Sequence, residues 1–120
     1  MAPVGLAGFV DSTAMSEAEL DRAVELLVRQ VGHWQQPRWA ATAAGGNVSR
    51  ADLVHRLVQE VANLAADAEG GPRREVPRLD NDLALPDQLR VVAADLVAAA
   101  PPPEVLARAA VEVTATRDAL

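Results

Sequence analysis

Within QVGHWQQPRWAA, residues 30–41, Trp34 and Trp39 stand five apart beside His33 and Arg38, in a chain whose only other aromatic residue is Phe9. An indole offers a large apolar face and one N–H donor, and a guanidinium fork suits an anionic group. Trp34, Arg38 and Trp39 are therefore candidates for a ligand pocket. Helical counting allows a second reading. Trp34 falls at the edge of an apolar stripe and Trp39 beyond the Pro37 break, so the pair most simply anchors the core and folds the following segment over its end.

Other chemistry-bearing residues point elsewhere. His33 and His55, the two imidazoles, each fall on the polar side of a helix, and neither HxxxH nor HExxH spacing is present. No metal is expected. Ser49, Asp52 and His55 contain the residue types of a nucleophilic triad within seven positions. Ser49, however, is placed to cap a helix, and a helical His55 does not turn back to its hydroxyl. No catalytic residue is assigned. Asp80, Asp82 and Asp87 cluster without the glycine turn or terminal glutamate of a calcium loop; Asp80 and Asp82 are expected to pair with the preceding Arg73, Arg74 and Arg78 or to stay solvated. Gly45 and Gly46 before Ser49 lack the phosphate-loop pattern and read as a flexible linker. No cofactor is implied.

Composition removes further classes. There is no Cys, and all eleven basic residues are Arg, so thiolate and lysine chemistry are both excluded. The formal net charge of −6 disfavours sequence-independent phosphate binding. Nucleic acid is not an expected partner: a helix-turn-helix would need a shorter connection, and only Arg50 and Arg56 could reach DNA from its second helix, which leaves Arg73, Arg74 and Arg78 as a third and weaker way to bind it. The N-terminal MAPVGLAGFVDSTAM has no positive region before its apolar run, so no signal peptide is expected. No apolar stretch nears the roughly 20 residues of a membrane span. The expected setting is the cytoplasm.

The elements that must position these residues are four helices in one domain of 120 residues. The segment 1–15 is expected to precede the first helix, which begins at Ser16, where S-E-A-E forms a capping box, and runs to residue 36. Its buried stripe is Leu20, Val24, Leu27, Val28, Val31 and Trp34. The second helix spans 50–68, with Leu53, Leu57, Val58, Val61, Leu64 and Ala68 inward. Residues 70–85 read as an ordered crossover loop. The third helix, 86–100, buries Leu89, Val92, Ala93, Leu96, Val97 and Ala100. After the Pro101–Pro103 run the fourth, 103–118, points Leu106, Ala109, Val113 and Leu120 inward. The fold class is all-α, a compact four-helix bundle-like domain with one long crossover.

Leu26, Val91 and Val111 lie off these stripes. If they share one surface they mark a partner face, and Leu26 and Val111, rimmed by Arg22 and Arg29, are the candidates for it. At RLDNDLALPDQLRVVAADL, residues 78–96, and at VGHWQQPRWAA, the chain resembles short uncharacterised helical proteins of high-GC bacteria. That resemblance implies a small helical bacterial protein and no particular activity. The expected function is non-catalytic, through self-association or a protein partner. The alternative is a small-molecule binder or minor enzyme with a pocket at residues 34–39.

Overall fold

A computed structural model describes the backbone of residues 4–44 and 46–120, and the side chains from Ser12 onward apart from residue 45. Four long helices make the domain: α1 (Val4–Val31), α3 (Arg50–Glu69), α4 (Leu85–Ala98) and α5 (Pro103–Ala119). A short helix α2 (Gln36–Ala40) follows α1, and a 3₁₀ turn, Asp82–Ala84, leads into α4. No strand occurs among the described residues, only an isolated antiparallel bridge between Thr42 and Ser49.

The last three long helices begin and end within two residues of the positions read from their caps. Ser49 accepts a hydrogen bond from the Asp52 amide at 3.0 Å, so its hydroxyl is a cap and not a nucleophile. Gly70, at φ 73°, closes α3 in the left-handed region, and the Gly71 amide reaches back to the Ala66 carbonyl at 3.0 Å. Arg117 in the last turn of α5 suits the negative end of its dipole.

The first helix departs from expectation at both ends. It starts at Val4, not Ser16, which sits buried in mid-helix, so the expected capping box does not cap. Between Pro3 and Gly32 there is no proline, and Gly5, Gly8 and the β-branched residues lower helix propensity without breaking the run. It ends at Val31 instead of residue 36, because continuing into Pro37 would force the proline ring against the His33 carbonyl. Gly32 makes the exit possible: its amide lies 2.7 Å from the Val28 carbonyl oxygen, and a Cβ there would stand 2.8 Å from that oxygen. Pro37 then serves in the first turn of α2, where its missing N–H costs nothing.

Contacts fix the directions of the helices. Arg50, at the start of α3, bonds Leu120, just past the end of α5, and packs on Trp34, just past the end of α1. Gln36 bonds Asp82, which precedes α4. Thus α1 and α5 run towards the tryptophan end of the bundle, and α3 and α4 run away from it. The parallel pairs α1–α5 and α3–α4 pack most extensively, and α1–α4 and α3–α5 close the ring.

A parallel α3–α4 pair requires a long return connection. Residues 71–79 supply it, strapped to α3 by side chains at successive levels. Arg73 pairs with Asp67 at 2.7 Å, the Gln59 amide nitrogen donates to the Arg74 carbonyl at 2.9 Å, and the Val76 amide donates to Gln59 Oε1 at 2.7 Å. His55 Nε2 lies 3.1 Å from the Val76 carbonyl, and Arg78 pairs with Asp52 at 2.7 Å and Asp82 at 3.2 Å. The ordered crossover is as expected, but Arg73 pairs with Asp67 and not with the aspartates that follow it.

The core holds Leu20, Val24, Leu27, Val28 and Val31 from α1, Val54, Leu57, Val58 and Val61 from α3, Leu85, Leu89 and Leu96 from α4, and Leu106 and Val113 from α5. In α3 the inward face is rotated from the expected one: Val54 and Ala65 are buried, whereas Leu53, Leu64 and Ala68 are half-buried. Ala100, expected inside, is exposed at φ 51°, turning the chain into Pro101.

Candidate functional site

The tryptophan pair closes the end of the core. Trp39 is fully buried and Trp34 7% exposed, with ring centroids 5.1 Å apart and planes at 69°, an edge-to-face contact. Arg38 and Arg50 place their guanidinium carbons 5.5 and 5.3 Å from the Trp34 ring centre. Arg50 also donates to the Arg38 carbonyl at 3.3 Å and to the Leu120 main-chain oxygen at 3.2 Å. One side chain therefore ties together the ends of α1, α2 and α5. Trp34, Arg38 and Trp39 do come together as the alternative reading required, but with the second indole sealed inside and the first covered by cations. Neither tryptophan lines the surface clefts that lie between α1 and α5 or between α3 and the crossover.

Several of the remaining polar candidates serve the fold. His55 is not a solvated surface histidine but a tie to the crossover, and His33 is exposed in the turn after α1. Asp52 accepts from Arg78 Nη1, a hydrogen bond that holds its carboxyl below the ordinary range despite partial desolvation. Arg73 does the same to Asp67. Among the described residues, no three His, Asp or Glu side chains converge as a metal set would. Of the glycines expected to make a flexible linker, Gly45 lies outside the described residues; the chain on either side is pinned, the Ala43 and Arg50 amides donating to the Val48 and Ala41 carbonyls at 2.9 Å each.

What the fold gathers at its surface is apolar. Leu26 on α1 and Val111 on α5 are 38% and 66% exposed and line one groove of about 480 Å³. Ala23, Ala107, Ala110 and Ala115 also line it, and their small side chains leave a furrow between the two helices. Thr114 sits in its wall, and Glu19, Arg22 and Asp118 stand as charges along it. The groove is an open trough, shaped for a ridge of side chains more than for an enclosed small molecule.

Arg22, Leu26 and Val111 are thus brought together. Arg29 is exposed one turn further along α1 and does not line the groove, and Val91 stands on α4, away from it. Sequence reasoning passed over Met15, 64% exposed, which with Ala18, Glu19 and Arg22 lines an adjoining hollow of about 240 Å³. Counting back from Leu26 in alternating steps of four and three reaches Met15. The Ser16 capping box had placed it outside the helix.

No protein-family model, curated protein or solved structure matches the chain, so the site must be read from its own geometry.

Proposed function

We propose that this chain is a non-catalytic helical protein that acts by protein–protein association, with the α1–α5 groove as its docking surface. The observation that carries the reading is the meeting of Leu26 and Val111. Two large apolar residues, off the core stripes of separate helices, share one open trough with a charged rim. Exposed apolar surface within a polar border is the anatomy of a contact face. Further support comes from the polar groups that might otherwise do chemistry: Ser49, Asp52 and His55 each have a structural partner. The proposed setting is the cytoplasm.

Arginine at either apolar position tests this. Leu26→Arg and Val111→Arg sit at exposed sites and should leave stability within about 0.5 kcal/mol of the native chain. Each should abolish association, seen as mass above the monomer by light scattering or as partner retention on immobilised chain. Association that survives both substitutions would contradict the proposal.

A further inference from the structure

Met15, Glu19, Arg22 and Leu26 follow one another along α1 at spacings of four, three and four, so they stand in one row on a single edge of the helix. All four are exposed. The groove that holds Leu26 and the hollow that holds Met15 share Glu19 and Arg22, so apolar surface flanks a central acid–base pair on both sides.

The order of the row matters. Read in either direction it runs apolar, charged, charged, apolar, and reversing it sets acid against base. The geometry points to a second copy of this chain as the occupant. Two α1 helices cross antiparallel about a two-fold axis at the level between Leu20 and Asp21. At that level each Glu19 opposes the partner copy's Arg22, and each Met15 opposes the partner copy's Leu26. Two reciprocal ion pairs then sit between two apolar contacts, the self-complementarity an isologous interface demands. Ala18, small and exposed, allows the helices to approach. The parallel arrangement in register would set Glu19 on Glu19 and Arg22 on Arg22, so the charges select against it. Val111 adds apolar area beside Leu26. This inference rests on the α1–α5 face being the docking surface, and names what docks there.

Charge exchange tests the pairing in the full chain, with mass followed by sedimentation or light scattering over a concentration series. The native chain should reach twice its monomer mass. Glu19→Arg or Arg22→Glu alone sets like charges opposite each other at both symmetry-related contacts, and each should raise the dimer Kd by at least about tenfold. The double variant E19R/R22E restores the pairs in the reversed sense and should return Kd to within about threefold of native. Circular dichroism verifies that each variant is folded. A strict monomer, or single reversals without effect, or a double variant as weak as the singles, would overturn the inference. A monomer that loses a different protein partner on Leu26→Arg would overturn the second copy alone. A dimer indifferent to Glu19, Arg22, Leu26 and Val111 alike would overturn the docking surface as well.

Discussion

At the scale of single residues, Trp39 and Asp52 illustrate two different kinds of structural work. Trp39 has no exposed surface and meets Trp34 edge to face, so removing it opens a large cavity at the end of the core. Trp39→Ala should cost about 3–5 kcal/mol, measured as a fall in the urea midpoint. Asp52 acts through charge. Because the Arg78 hydrogen bond lowers its folded pKa, its contribution is full above the ordinary carboxylate value, about pH 4, and disappears as pH falls through the depressed folded value. The stability gap between the native chain and Asp52→Asn should therefore be constant from neutral pH to about pH 5 and close in stronger acid. Asp67 titrates in the same window, so the comparison between variants, followed by urea unfolding at each pH, isolates the Asp52 pair. A gap that widened on acidification would contradict the assignment. The role of Trp39 was half legible in the sequence, since the Pro37 break separated it from Trp34. The covering of Trp34 by Arg50 was not, because no local pattern links residues that meet only when α3 begins beside the ends of α1 and α5.

At the scale of elements, the crossover shows how a segment without regular structure is held. Gln59 acts as a clamp, donating to the Arg74 carbonyl and accepting from the Val76 amide, while His55 faces the Val76 carbonyl. Replacing Gln59 with Ala leaves those backbone groups without their partner and should cost about 1–2 kcal/mol. Hydrogen exchange at the Val76 amide should become fast in that variant, whereas mid-helix amides of α3 keep their protection. Slow exchange at Val76 would mean that the strap is held without the clamp. Helices α3, α4 and α5 were legible because Ser49, Gly70, Pro86 and the Pro101–Pro103 run act on backbone geometry close to their own positions. The start of α1 was not. A Ser-x-x-Glu pattern favours a helix start where one occurs, but it does not break a helix already running, and Ser16 lies inside one. The inward face of α3 was misplaced for a related reason: periodicity locates a stripe, and the packing of Val54 and Ala65 against neighbouring helices decides its centre.

At the scale of the whole molecule, the parallel pairs α1–α5 and α3–α4 give the bundle two unlike sides. The α3–α4 pair is crossed by its own connection, with Val76 packed against the core and the strap residues lining a cleft of about 520 Å³ with both helices. Among the described residues nothing comparable crosses the α1–α5 pair, and there Met15, Leu26 and Val111 are exposed. The apolar face was partly legible, as Leu26 and Val111 stood out from their helical stripes. Their meeting was not, because it depends on α1 and α5 running in the same direction as neighbours. If the protein associates through this apolar face, hydrogen exchange of the full chain at high and low concentration will show it directly. Raising the concentration should add protection along residues 15–26 of α1, with a smaller gain around Val111, and leave α3, the strap and the Val91 side of α4 unchanged. Protection that ignores concentration along α1, or that appears around Val91 or the strap instead, would contradict it.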